Sequence, residues 1–283
     1  MILSRRVSFH GFQLDEIDEY VVVKSLDPGT PQESVVTSEQ MGGFGSRLVS
    51  SHYGMLEASV TFGINVYNTN QKRRRKIYDA VVGWAKQNNG AGWLKFNYMD
   101  TRRLYMDRTV IESTGDIREW TNDYTIKFQA YHVPFWENAS GDTYINKNGD
   151  GSKVLPSRDP FSLAIEGTAP SVLNLEYRND SGAVINDVII TLNSDQMTFT
   201  GIKLAANESL LIDHRRDGTI RARGVKWNAR RTSITSARNV YGLMQGLDDL
   251  YVNPGFVDLD VKGYVNTFAK TGRLWVDSFA RWL

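Results

Sequence analysis

"MLEASVTFGINV", residues 55–66, is followed almost at once by "NTNQKRRRKIYDAVVGWAKQNNGAG", residues 68–92, and the change of period between the two decides the fold class. In the first stretch Leu56, Ala58, Val60, Phe62, Ile64 and Val66 share one face, while Glu57, Ser59, Thr61 and Asn65 share the other. That alternation is the period of a half-buried β-strand. In the second, Ile77, Ala80, Val81, Trp84 and Ala85 recur at the spacing of a single helix face. The spacing predicts a helix over about 69–89, with Thr69 or Asn70 as N-cap and Gly90 as the stop.

Downstream, "GWLKFNYM" (92–99) and "RRLYMDRTVIE" (102–112) read as two further strands, with a turn at "DTR" (100–102). "TIKFQAYHVPFWEN" (125–138) begins as another, alternating Ile126, Phe128 and Ala130 with Thr125, Lys127 and Gln129. Pro134 then breaks the ladder directly before Phe135 and Trp136. Residues 1–138 therefore read as an antiparallel sheet or small barrel with one packed helix.

Residues 140–160, "SGDTYINKNGDGSKVLPSRDP", are rich in Gly, Asp, Asn, Ser and Pro, and mark a linker or long loop at 139–160. "NKNGDG" lacks the late bidentate Glu of a calcium loop, so a turn is expected there. From 161 to 283 short strands recur about every ten residues, including "SVLNLEY", "VIITL", "ESLLID", "TIRARG" and "FVDLDVKGYV". Turn signals such as "RNDSG", "RRDG" and "NPG" separate them, whereas "SARNVYGLMQGLDDL" is ambiguous. This half predicts an antiparallel β-sandwich, so the chain is expected to be mainly β with minor α, in domains 1–138 and 139–283.

Of 283 residues, 33 are basic and 32 acidic, so no global field draws the chain to nucleic acid or an anionic membrane. There is no cysteine, which excludes disulfides, thiolate metal sites and thiol nucleophiles. The arginines of "MILSRRVSFHGFQL" precede no apolar run, and no stretch of about 18 apolar residues occurs. The expectation is a soluble protein made in the cytoplasm, without membrane insertion.

Catalytic signals are sparse. His10, His52, His132 and His214 lack metal-ligand spacing, and no Walker loop, dinucleotide fingerprint or nucleophile elbow occurs. Asp213 and His214 are neighbours on a strand and point to opposite faces, so neither orients the other. Asp248, Asp249, Asp258 and Asp260 form the densest acidic group, read as solvated. Tyr177, Trp227, Tyr241 and Tyr251 are available to stack on a sugar, and equally to pack a core. The chain is expected to be no enzyme and to need no cofactor or metal.

Two groups stand out as interface candidates. Lys72, Arg73, Arg74, Arg75 and Lys76 lie in the first turns of the helix, opposing its macrodipole. They are either a solvated helix end or a contact for an acidic partner surface. Phe135 and Trp136 either plug a domain junction or dock on a neighbouring chain.

Taken in order, "LEASVTFGINV", "NQKRRRKIYDAVVGWAKQ", "LKFNYMDTRRLYMDRTV", "FQAYHVPFWE", "GTAPSVLNLEYRN", "ESLLIDHRRDGTIRARG" and "YVNPGFVDLDVKG" resemble the distal tail protein family of siphovirus-type bacteriophages and prophages. The resemblance covers essentially the whole chain. One departure is Phe256, where the family often has Asn after the Pro-Gly turn. The resemblance implies a split-barrel-like N-terminal domain that forms a hexameric ring and a galectin-like C-terminal sandwich. It also implies a virion protein that joins the tail tube protein to the tail-tip or baseplate protein. An alternative reading is a carbohydrate-binding module that attaches to a host cell-surface saccharide through the sandwich.

Overall fold

The computed structural model describes residues 5–39, 46–66, 71–113, 123–140, 142–145, 153–157, 159–215 and 219–283. The expected N-cap residues Thr69 and Asn70 lie outside them. Contacts divide the chain into two units, Met1–Ala139 with Leu283, and Ser140–Trp282. The fold is mainly β, with antiparallel sheets and one α-helix among the described residues.

The first unit runs β1 (Val7–Phe9), β2 (Phe12–Gln13), β3 (Val21–Asp27), β4 (Pro31–Glu39) and β5 (Ser46–Ile64). The helix α1 (Gln71–Ala85) follows. Then come β6 (Gly92–Phe96), β7 (Arg102–Met106), β8 (Arg108–Ser113), β9 (Asp123–Ala130) and β10 (Trp136–Asn138). One sheet holds β2, β1, β6, β7 and β10; the other is ordered β3-β5-β9-β8, with β4 on β5.

The alternation read from the sequence places Leu56, Ala58, Val60, Phe62 and Ile64 of β5, and Tyr124, Ile126, Phe128 and Ala130 of β9, in the core. On the opposite face Lys127 bridges Glu57 and Glu112 at 3.6 and 3.0 Å, crossing three strands. Hydrogen bonding to Glu112, then the Glu57 charge, raises the Lys127 pKa. The helix lays Ile77, Val81, Trp84 and Ala85 on this core, while Ala80, expected on the same face, is exposed. Phe9, Trp84 and Phe128 meet at ring separations of 5.4–6.3 Å, joining both sheets to the helix.

Three local expectations are corrected. The helix ends at Ala85, short of Gly90: the Thr109 hydroxyl donates to the Ala85 carbonyl at 2.7 Å, and Asn88 and Asn89 turn left-handed at φ 49° and 59°. The strand expected over 102–112 is two strands in different sheets. At their junction the Asp107 carboxylate accepts backbone N–H groups from Tyr131 and His132, which holds the crossing. Within the expected linker, β11 (Asp142–Ile145) and β12 (Lys153–Leu155) both pair with a strand more than a hundred residues later. Composition flagged their loops and hid strands of three or four residues.

The second unit continues with β13 (Phe161–Ile165), β14 (Ser171–Asn179), β15 (Ile185–Leu192), β16 (Asp195–Leu204), β17 (Glu208–His214), β18 (Ile220–Trp227) and β19 (Ile234–Asn239). It goes on with β20 (Met244–Gly246), β21 (Tyr251–Val252), β22 (Gly255–Val265), β23 (Phe268–Lys270), β24 (Gly272–Ser278) and the short β25 (Arg281–Trp282). One sheet is ordered β11-β24-β14-β17-β18-β19 and the other β13-β22-β15-β16-β20. Leu175, Tyr177, Ile212 and Val276 of the first pack on Ile190, Phe199, Leu259 and Val261 of the second in one core, a β-sandwich. The ambiguous stretch 236–250 resolves into β19, a 3₁₀ turn at Tyr241–Leu243 and β20.

Candidate functional site

The basic run lies at the start of α1, but its five side chains differ in use. Arg73 reaches back to the acidic segment before β3, with Nη2 3.5 Å from Glu19 Oε1 and 4.0 Å from Asp18 Oδ2. Its guanidinium also sits 4.5 Å over the Tyr20 ring. Arg74 is half-buried, and its Nε and Nη2 are buried without a hydrogen-bond partner among the described residues. Lys72, Arg75 and Lys76 are exposed. A cleft of about 600 Å³ lies beside them, lined by Ile17, Asp18, Lys72, Arg73, Lys76 and Ile77. The acidic "LDEIDEY" (14–20) was visible in the sequence, yet nothing local tied it to residue 73.

Phe135 and Trp136 are both buried, at 8% and 1% exposure. Trp136 tilts against Phe96 at 5.3 Å, and its indole N–H donates to the Pro28 carbonyl. Phe135 meets the Tyr53 ring edge-on at 5.3 Å. Both rings are packed within the chain. That is why a Pro-terminated strand ends on its bulkiest pair: β10 re-enters the first sheet beside β7, and the rings fill the space beneath it.

A second feature belongs to β5. Residues 56–63 pair with β9, and residues from 59 onward also pair with β3. Residues 46–53 pair with β4 alone among the described residues. The β4–β5 hairpin thus continues as a two-stranded ribbon past the four-stranded sheet. Isolated ribbons of this kind are marginal in water.

Of the acidic residues singled out earlier, Asp213, Asp249 and Asp260 are paired. Asp213 binds Arg221 and Arg223, and that hydrogen bond raises the Arg221 pKa. His214 pairs with Asp249 through Nε2, and Asp260 pairs with Lys262. Among the described residues no three His, Asp or Glu side chains gather as a metal site. Phe256 stands 83% exposed on β22.

No family model and no curated protein matches this sequence. The comparison with solved structures is more informative. The structure of the Dit protein of phage SPP1, described as a paradigm of the hub adsorption apparatus in phages that infect Gram-positive bacteria, superposes with a TM-score of 0.64. The match covers 99% of each chain at 11% sequence identity. The two chains share a fold. A chain of the phage P2 baseplate in its activated conformation with calcium also matches, at 9% identity, 97% and 98% coverage and a TM-score of 0.41.

Proposed function

We propose that this protein is a structural component of a siphovirus-type phage tail, a hub that closes as a hexameric ring. The ring joins the distal end of the tail tube to the tail-tip or baseplate proteins, and it acts by self-assembly and docking without catalysing a reaction. The observation that carries this reading is the likeness to the SPP1 hub protein over 99% of both chains. Physical features support it. A ring needs a heterologous contact that each subunit both offers and accepts. The β4–β5 ribbon, which over residues 46–53 has no third strand among the described residues, is suited to be offered. The exposed Lys72, Arg75 and Lys76 supply a charged surface for an acidic neighbour. The protein then belongs to the virion, assembled in the cytoplasm of the bacterial host.

The test is the mass of the full chain in solution across concentration, followed by negative-stain imaging, alone and mixed with the tail tube subunit. Closed six-fold rings are expected in at least one condition. A chain that stays monomeric in both overturns the reading.

A further inference from the structure

A cleft of about 720 Å³ opens in the second unit beside the β17–β18 hairpin. Arg215, Arg221, Arg223 and Arg238 line it together with Tyr241, Asp248 and Asp249. We propose that this cleft binds an anionic glycan, an oligosaccharide carrying carboxylate or phosphate groups. The inference is independent of ring assembly and would give the sandwich a ligand of its own.

The lining brings four guanidiniums together with two carboxylates, and Asp213 and Glu208, which hold Arg221, Arg223 and Arg238, balance the remaining charge. An anion would be received by the guanidiniums that are not fully spent, Arg215 and Arg223, and not by a net positive field. Several of the four guanidiniums are fixed in advance. Asp213 holds Arg221 through two hydrogen bonds, and Arg238 donates to Glu208 at 3.0 Å and to the Lys203 carbonyl at 3.1 Å. Arg223 reaches Asp213 only at 3.4 and 3.5 Å, so most of its donor capacity is unspent. Arg215 is exposed and has no ion-pair partner among the described residues. Planar guanidiniums held in place are the side chains best matched to carboxylate and phosphate oxygens.

A bare anion would leave the rest of the lining without a use. Asp248 and Asp249 are acceptors that repel an anion and welcome hydroxyl groups. Asp249 is positioned by His214 Nε2 and by the Leu250 N–H. Tyr241, 44% exposed, has its backbone N–H held by the Asn239 side chain at 3.0 Å and presents a ring for the C–H face of a sugar. Donors for the charged group, acceptors for hydroxyls and an aromatic face in one cleft are the chemistry of a charged saccharide. The volume lies within the usual range of about 300–1,000 Å³ for ligand sites.

Saturation-transfer NMR and calorimetry on the full chain test this with three probes: tetragalacturonic acid, a glycerol phosphate oligomer and neutral maltotetraose. One or both charged probes should bind, the neutral one much more weakly, and which charged probe wins identifies the acidic group. Arg215→Ala and Tyr241→Ala, both at exposed side chains, should each weaken binding by about ten-fold, with assembly mass and circular dichroism unchanged. Four results overturn the proposal: no charged probe bound at about 10 mM, equal binding of maltotetraose, displacement by inorganic phosphate at equal concentration, or variants that bind as the parent does.

Discussion

The Trp136 indole N–H donates to the Pro28 carbonyl oxygen at 3.0 Å, across 108 residues of chain. This bond ties the strand that follows Pro134 to the turn between β3 and β4, where Gly29, at φ 65°, lies so close to Glu57 that a Cβ would meet its carbonyl oxygen at 2.0 Å. Trp136→Phe keeps most of the ring and orphans the carbonyl, so it should cost about 1–3 kcal/mol. Trp136→Ala should cost about 3–5 kcal/mol by leaving a cavity. Urea denaturation of both variants checks the pair, and parent-like stability in Trp136→Phe would show that the bond contributes nothing.

Thr109 is fully buried, and its hydroxyl closes the last turn of α1 on Ala85. Thr109→Val removes the donor at nearly constant shape and should cost about 1–2 kcal/mol, whereas Thr109→Ser should retain most of the stability. Faster hydrogen exchange at the Lys86 amide, which bonds the Val82 carbonyl, is the expected local sign. Equal exchange in the Val and Ser variants would remove the hydroxyl from the account.

Tyr177 lies in the centre of the sandwich with its hydroxyl buried and unpartnered, and burial, followed by the Asp180 charge, raises its pKa well above the usual 10.0. A raised folded pKa means that the folded state keeps a proton the unfolded chain gives up. This contribution is therefore complete below about pH 10 and declines as pH rises from there toward the folded value. Tyr177→Phe should flatten the decline between about pH 10 and 12 and lose no stability at pH 7, because it also removes an unsatisfied hydroxyl. Gly263→Ala should destabilise, since its Cβ would lie 2.2 Å from that hydroxyl oxygen. Thermal melts across pH check both; an unchanged alkaline slope in Tyr177→Phe refutes the first.

On the basic helix, Lys72→Glu, Arg75→Glu and Lys76→Glu reverse exposed charges and should leave the monomer's stability nearly unchanged while weakening assembly, most at low salt. Arg73→Glu differs, because it opposes Asp18 and Glu19 and should lower monomer stability as well. Light scattering beside denaturation curves separates the two effects. Unaltered assembly in the triple variant would discard the helix as a contact.

Shortening the β4–β5 ribbon by deleting 35–38 and 47–51 removes rungs that, among the described residues, pair only with each other. The shortened chain should fold with near-parent stability and fail to form rings. Rings of parent size would exclude the ribbon from the interface.

Much of the first unit's core was legible without coordinates. Strict alternation at Leu56–Ile64 and Ile126–Ala130, and helical spacing at Ile77–Ala85, are local patterns set by the geometry of a strand and a helix. The recurrent strands and turns of the second half likewise indicated a sandwich. The candidate contacts were legible only as composition: the run 72–76 was conspicuous, but which of its members face solvent was not.

What the sequence by itself determined, then, is the strongly periodic elements, such as β5, β9 and α1, and most of the apolar face of each. Tertiary structure decided the rest: that Asp107 splits one apparent strand between two sheets, that Arg73 is spent on Asp18 and Glu19, that Phe135 and Trp136 fill a core, and that arginines from β18 and β19 converge with Asp248 and Asp249 on one cleft. The physical reason is distance along the chain. Periodicity records what a residue does to its near neighbours, whereas strand pairing and ion pairing join residues tens to a hundred positions apart, where no local pattern carries the partner's identity.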